Sequence, residues 1–443
     1  MPTGRPAVGG RAHTGLRLPL RPRAELLAKR ALDPAGWRED LLRQVTARAG
    51  SLRAFACWRP GDFADPRIPG RPTVSYKDNI AVVGYPTGFG LASRSQEWPS
   101  GSAEIVRRIA ALDCVTVGKT AMTELSIGTA IPCPNPLYPH VSAGGSSTGA
   151  AVATVDGWCD MGVGTDSGGS IRWPAVYCGG VALRLTYDRS LLAGVWPVAP
   201  SMESVGLVAR SCADLAHLWF ATGVRAVTGH RDPADPGPGT MAFGLVTGCL
   251  GDSTHPDITA AITRLAGALR RGGNAVRPVQ VSWWRDRAAA WDLLSHEAYL
   301  VNRGRWAGQC HPATERALAR GAAVSPARYR VCLAARAAAA AAARQEFAVS
   351  ECDAWLLPLD PHLADRPPPA TRLSTLPEPR SRGDALGFTI GASLAGIPVV
   401  AMPIGEASDG SPIGLQLWAR HGDEDVLVRA AGVIDATIRS GSL

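Results

Sequence analysis

Two Gly/Ser-rich stretches and one short Lys-containing segment hold the residue types of this chain that could do chemistry. The first stretch covers residues 143–149 (AGGSSTG), the second covers residues 164–172 (GTDSGGSIR), and the segment at 76–79 (YKDN) precedes both. Together they supply one amine and two candidate hydroxyls. A hydroxyl is a poor nucleophile without a neighbouring base, and a Gly-rich turn lets backbone N–H groups converge on a developing oxyanion. These residues therefore indicate acyl transfer.

The three segments resemble the motifs of the amidase signature enzymes, which have a Lys in V-K-D-N, a GGSSGG stretch and a G-T-D-x-G-G-S-I-R stretch. The resemblance implies that Ser170 is the nucleophile, that Ser146 follows a cis peptide bond and relays protons, and that Lys77 is the ultimate base. The two serines are 24 positions apart, which is the spacing in that family. Further landmarks of the family follow in its order, among them residues 118–120, 206–210, 394–398 and 414–416.

Lys77 can act as a base only where its amine is neutral. The reference pKa of Lys is about 10.4, so burial or neighbouring positive charge must lower it by several units. Val74 before Lys77 and the apolar run at 80–83 after it predict a pair of buried strands. Taken alone, the segment also permits a surface ion pair between Lys77 and Asp78.

The turn around Ser170 is expected to bind the oxyanion, because a Gly pair lets the chain turn sharply toward a substrate. The expected donors are the backbone N–H groups of Ser167, Gly168, Gly169 and Ser170. Asp166 and Arg172 flank this turn, and the resemblance implies that they hold it through hydrogen bonds and an ion pair. Ser147 and the side chain of Ser167 are interpreted as structural hydroxyls, since Ser in Gly-rich loops commonly bonds to nearby backbone.

Several residues are candidates for a substrate pocket. By resemblance, Cys133 lies in a loop near the acyl pocket, although core packing is the alternative. Trp173, together with Tyr177, Trp196 and Trp418, permits an apolar or aromatic acyl group. An aryl or alkyl carboxamide is the predicted substrate class.

The resemblance implies an amidase that hydrolyses a small-molecule carboxamide to a carboxylate and ammonia or an amine, with no metal and no organic cofactor. One alternative is an acyltransferase that passes the same acyl-enzyme to another nucleophile. Another is a glutaminase-type subunit of a tRNA-dependent amidotransferase complex. Glutamine-handling members carry an acid three residues before a late Thr, whereas Leu386 precedes Thr389 here. An apolar residue there would leave the α-amino group of glutamine without a countercharge.

Composition is typical of a globular enzyme. The chain has 443 residues, of which 46% are hydrophobic and 19% are charged, so it can bury a large core. We expect a flexible Arg-rich leader at 1–30 and one amidase signature domain at 31–443, with a variable, partly helical peripheral region at about 222–351. No apolar run of about 18 residues predicts a membrane span, and the start of the chain lacks the apolar stretch of a secretory signal.

Charge and cysteine usage limit the partners. The net charge of +8 is spread through the chain without a basic patch, so we expect neither nucleic-acid nor membrane binding. The ten cysteines show no CxxC pair and no regular spacing, which argues against a zinc site or a disulfide scaffold and favours a reducing, cytoplasmic location. A small-molecule amide is the expected partner, and a homodimer remains open.

These residues need a scaffold, and the pattern predicts an α/β fold: a mixed, mostly parallel β-sheet covered by helices on both faces. In such a fold, chemistry lies in the loops that follow strands. The resemblance also implies that the loop at 365–382 lies over the acyl pocket. The predicted strands are 73–76, 80–83, 114–118, 162–165 and 242–246, and the predicted helices are 35–49, 102–112, 150–156 and 256–271, with helical structure across 283–351.

Overall fold

A computed structural model describes residues 20–29, 31–91, 96–128, 131–229, 239–251, 253–283, 287–306, 308–367 and 382–441. Within these ranges the strands form a single large sheet. The strands are β1 (Phe55–Cys57), β2 (Thr73–Lys77), β3 (Val115–Thr120), β4 (Met161–Asp166), β5 (Val181–Arg184), β6 (Ser204–Ala209), β7 (Ala242–Val246), β8 (Ala275–Val279), β9 (Ala354–Pro358), β10 (Val399–Glu406) and β11 (Pro412–Trp418). Their order across the sheet is β1-β3-β2-β4-β6-β5-β10-β11-β9-β7-β8.

Helices pack on this sheet. They are α1 (Leu20–Ala28), α2 (Pro34–Leu52), α3 (Glu104–Ala110), α4 (Thr148–Val155), α5 (Arg172–Tyr177), α6 (Cys212–Ala216), α7 (Pro256–Arg271), α8 (Arg287–Asn302), α9 (Pro312–Ala322), α10 (Pro326–Ser350), α11 (Arg382–Ala395) and α12 (Glu424–Arg439). In the described ranges no helix is both long enough and apolar enough to cross a bilayer.

Helices cover both faces of the sheet, as predicted. Successive side chains of a strand point to opposite faces. On β9, Leu356 packs in the hydrophobic cluster that contains residues of α7 and α12. Its neighbours Trp355 and Leu357 pack in a second cluster with residues of α8 and α10. The sheet is therefore the middle layer of the fold.

The sheet is mixed, as predicted, but the expectation that it is mostly parallel is wrong. Only the pairs β2–β3, β2–β4, β7–β8 and β7–β9 are parallel among the described strands, and the other six neighbouring pairs are antiparallel. The reason is visible at β10 and β11, which are joined by a short turn. A short turn permits an antiparallel neighbour, whereas a parallel neighbour needs a long crossover.

Two further expectations need correction. Residues 80–83 do not form a strand, and Ile80 makes only an isolated bridge to Val195. The expected leader at 1–30 is folded from residue 20, because α1 places Arg23 against Asp160 at 2.7 Å with both side chains buried. Residues 1–19 of that leader, and residues 368–381 of the loop expected over the acyl pocket, lie outside the described residues.

Candidate active site

Lys77 is the last residue of β2, which lies between β3 and β4, and its side chain is fully buried. Its Nζ donates to Ser146 Oγ at 2.7 Å and to Thr165 Oγ1 at 2.9 Å. Burial lowers the pKa of Lys77 to about 8, although the charges of Glu203 and Asp166 act in the opposite direction. A measurable fraction of the amine is therefore neutral near physiological pH.

Ser146 follows a cis peptide bond after Gly145 and is buried. Ser147 links the two Gly/Ser-rich stretches, because its N–H donates to the Ser170 carbonyl at 2.9 Å. Ser170 itself is partly exposed. Within the described residues no hydrogen bond joins the hydroxyls of Ser146 and Ser170. The order from the protein interior to the surface is thus Lys77, Ser146, Ser170.

The turn that carries Ser170 runs from Asp166, the last residue of β4, to Arg172, the first residue of α5. Asp166 accepts from the Gly169 N–H at 2.9 Å, and both of its carboxylate oxygens pair with Arg172 at 2.8 and 2.9 Å. Burial alone would raise the pKa of Asp166, but the pairing with Arg172 and with the nearby Arg184 more than offsets it and holds that pKa well below its usual range. The hydrogen bonds and the ion pair expected of Asp166 and Arg172 are present.

One expected oxyanion donor must be removed. The Gly169 N–H already donates to Asp166 and is not free to bind a substrate oxygen. Gly169 is required for a different reason: its φ is +119°, and an added Cβ would lie 2.9 Å from the Thr389 hydroxyl. In the described part of the chain, the N–H groups of Ser167, Gly168 and Ser170 have no acceptor.

The remaining predicted residues differ in their surroundings. The Ser147 hydroxyl donates to the Thr165 carbonyl at 3.2 Å, in keeping with a structural role. Trp173 is half-buried on α5, and its Nε1 is buried without a partner among the described residues. Cys133 is only 4% exposed, its Sγ faces the Arg53 carbonyl, and burial raises the pKa of its thiol to about 12. This position corrects the expectation of a pocket-lining Cys133.

Sequence reasoning missed several groups around Lys77. Asn79 lies in the segment of Lys77 and Thr165 lies in the stretch of Ser170, so their place in these motifs could have signalled a role. Glu203 had no such signal, because it lies in a separate segment just before β6. Trp418, one of the predicted pocket aromatics, is fully buried and stacks on Trp283 with ring centroids 5.3 Å apart, which places it in the core.

Comparisons with known proteins show the family of the chain. The sequence model of the family described as Amidase matches residues 70–428. This chain is a member of the amidase family. The chain is 30% identical over 456 residues to one of the subunits of the glutamyl-tRNA(Gln) amidotransferase of Thermus thermophilus, a match that covers 91% of this chain and 94% of that protein.

Two further matches support the same family. The chain is 38% identical over 211 residues to the indoleacetamide hydrolase of Pseudomonas savastanoi, which covers 44% of this chain and 46% of that protein. A crystal structure of an amidase superposes with a TM-score of 0.81 at 27% identity, covering 95% of this chain and 99% of the other. The chain is thus an amidohydrolase or an amidotransferase built on the fold of its family.

Proposed function

We propose that this protein hydrolyses a small-molecule carboxamide through an acyl-enzyme on Ser170, with Ser146 and Lys77 completing a catalytic triad. The observation that carries the proposal is the 2.7 Å hydrogen bond from Lys77 Nζ to Ser146 Oγ, made by an amine whose pKa burial lowers to about 8. A neutral amine in that place can accept a proton from the Ser146 hydroxyl.

The first chemical step forms the acyl-enzyme. Ser170 Oγ attacks the amide carbonyl carbon, its proton passes to Ser146 Oγ, and the proton of Ser146 passes to Lys77 Nζ. Negative charge collects on the carbonyl oxygen, where the N–H groups of Ser167, Gly168 and Ser170 are the proposed donors. The C–N bond then breaks, the proton returns along the same path to the departing nitrogen, and ammonia or an amine leaves an ester on Ser170.

The second step removes the acyl group. Water attacks the ester carbonyl while the same path accepts its proton, and the Ser170 oxygen takes a proton back as the ester bond breaks. The products are the restored hydroxyl and a carboxylic acid, which releases its proton to solvent and leaves as a carboxylate. None of these steps uses a metal or an organic cofactor.

An aryl acyl group is the substrate class that we favour. Trp173 lies three residues after Ser170 on α5 and is half-buried, so part of its ring is open to an acyl group. A group of aromatic rings, Phe89, Trp196 and Trp306, packs with centroids 5.2 to 6.1 Å apart, and the Trp196 carbonyl accepts from Asn79 at 2.9 Å. The name of one relative, indoleacetamide hydrolase, describes an aryl amide as well.

A second candidate function, the glutaminase-type component of a tRNA-dependent amidotransferase, is favoured by the long match to the amidotransferase protein of Thermus thermophilus. It would require partner chains, whereas the hydrolase requires only a small-molecule substrate and works as a monomer or a homodimer. An acyltransferase that uses the same acyl-enzyme is the third option. Cysteines without disulfides among the described residues support a cytoplasmic location for any of them.

The test is intact mass after incubation with a serine-directed fluorophosphonate, compared between wild type and Ser170→Ala. We expect one adduct, in wild type only, and turnover of aryl amides in a substrate panel. Well-folded wild type without an adduct would contradict the proposed nucleophile. Product partitioning with added amines identifies an acyltransferase, while stable co-purifying chains and turnover of glutamine identify the amidotransferase component.

A further inference from the structure

We propose that Glu203 is a positioning residue for the Lys77 base and acts on it in two ways, through the hydroxyl of Thr165 and through its own charge. The proposal rests on the function proposed above, since it concerns the same base. It goes beyond that function because Glu203 touches neither serine of the triad.

The hydrogen-bond inventory of Thr165 is the first step of the argument. Its Oγ1 accepts from Lys77 Nζ at 2.9 Å and from Asn79 Nδ2 at 3.3 Å. A hydroxyl that already accepts two hydrogen bonds can make one more, as a donor through its own proton. The Thr165 hydroxyl contacts the carboxylate of Glu203, an acceptor that can take this proton. Glu203 therefore sets the direction of the Thr165 O–H bond. That direction determines how Thr165 Oγ1 accepts the hydrogen bond from Lys77.

Glu203 is itself held rigidly. Its side chain is fully buried, and its Oε2 accepts from the N–H groups of Val198 and Ala199. Its Oε1 is also buried and has no hydrogen-bond partner at good geometry among the described residues. Burial of a carboxylate oxygen without a strong partner is costly, and the contact of Glu203 with Thr165 and the charge of Lys77 offset part of that cost.

The charges that face Lys77 define the sign of the effect. Glu203 and Asp166 are the two carboxylates that act on the amine, and both favour its protonated form. Asp166 is neutralised by Arg172 at 2.8 Å and lies 3.6 Å from Arg184, whereas Glu203 makes no ion pair of that kind in the described chain. Glu203 is therefore the carboxylate whose removal should change the proton affinity of Lys77 most, and the change should favour the neutral amine.

The segment that carries Glu203 is anchored by helices of the peripheral region. Glu297 on α8 accepts from the Ser201 N–H at 2.9 Å, and Arg336 on α10 donates to the Ser201 carbonyl. These helices lie far along the chain from the triad motifs, yet they fix the loop from which Glu203 reaches Thr165. The same anchor offers a matched control, because Glu297 is a buried carboxylate on α8 that bonds to this loop and does not act on Lys77.

The experiment measures the second-order rate of fluorophosphonate labelling of Ser170 as a function of pH. The variants are Glu203→Gln, Thr165→Val, Thr165→Ser and the control Glu297→Gln, and thermal unfolding verifies the fold of each. We expect Glu203→Gln to move the acid limb of the profile down by about one pH unit or more. Glu297→Gln should leave the limb where it is in wild type.

The Thr165 variants test the route through the hydroxyl and do not depend on the folding of Glu203→Gln. Thr165→Val should lower labelling about tenfold at every pH, and Thr165→Ser should restore it. An unmoved acid limb in folded Glu203→Gln, or wild-type labelling by Thr165→Val, would overturn the inference. Absence of Ser170-dependent labelling in wild type would instead overturn the proposed function, so the two failures are distinguishable.

Discussion

Lys77 and Lys119 are two buried lysines on neighbouring strands that differ in the partners of their amines. Lys77 is at the end of β2, and Lys119 is in β3. Both side chains are fully buried, and burial lowers the pKa of both amines. Lys119 Nζ lies 3.3 Å from the carboxylate of Asp78 and donates to Thr87 at 3.1 Å. Among the described residues, Lys77 Nζ donates only to two hydroxyls, those of Ser146 and Thr165.

The difference shows that burial alone does not make a base. Lys119 has an adjacent countercharge and forms a structural ion pair, whereas Glu203, the carboxylate that acts most on Lys77, is proposed to act across the hydroxyl of Thr165. Asp78 follows Lys77 in the sequence but pairs with Lys119, because the parallel register sets Lys77 opposite Thr120. The surface ion pair that the sequence permitted for Lys77 is therefore wrong.

The largest expected difference between the two lysines is in activity. Lys77→Met should lower the rate of Ser170 labelling by about 10³-fold or more, because it removes the proposed proton acceptor. Lys119→Met should leave the rate of its folded fraction within about tenfold of wild type. Labelling kinetics at pH 8 on both variants provide the measurement, and a nearly active Lys77→Met would break the comparison.

The second difference is in stability and has the opposite order. Lys119→Met leaves Asp78 buried without its partner, so we expect the free energy of unfolding to fall by about 3–5 kcal/mol. Lys77→Met replaces an amine that has no carboxylate in direct contact, and less than half that loss is expected. Denaturant unfolding of the two variants at pH 7 tests this order, and equal losses would contradict it.

A third prediction concerns pH. Because the pKa of Lys77 is about 8, the labelling rate should rise about tenfold per pH unit below that value and level off above it, as the amine loses its proton. At pH 7 wild type should therefore work about tenfold below its plateau. Lys119→Met should show the same limb; a displaced limb would mean that Lys119 acts on the base.

Some of the fold and site was readable from sequence. The bounds predicted for β7 and α7 agree with the structure, since a compact apolar strand and a Pro-led amphipathic helix are local patterns. The apolar run at 80–83 misled because only Ile80 and Val82 are buried, in a segment that turns instead of pairing in a ladder, while Val83 is exposed. Strand direction was also unpredictable, because it depends on which elements become neighbours.

The contacts of Lys77 divide in the same way. The apolar residues that flank Lys77 predicted its burial, and the resemblance to the amidase signature motifs implied its link to Ser146. Its link to Glu203 requires the antiparallel register of β4 and β6, in which Thr165 lies opposite Val205 and Asp166 opposite Ser204. No residue spacing encodes that register, so the link between Lys77 and Glu203 could not be predicted from the sequence.

The smallest expected effect compares the Thr beside each lysine. Thr87 accepts from Lys119 as Thr165 accepts from Lys77. The backbone N–H of Thr87 donates to the Glu97 carbonyl at 2.8 Å, a bond that Thr87→Val should keep. Because Lys119 keeps Asp78, Thr87→Val should cost about 1 kcal/mol of unfolding free energy and leave labelling unchanged. Denaturant unfolding and labelling kinetics test both parts. If Thr87→Val slowed labelling as much as Thr165→Val, the two hydroxyls would be equivalent, and the distinction between an ion-paired lysine and a catalytic one would fail.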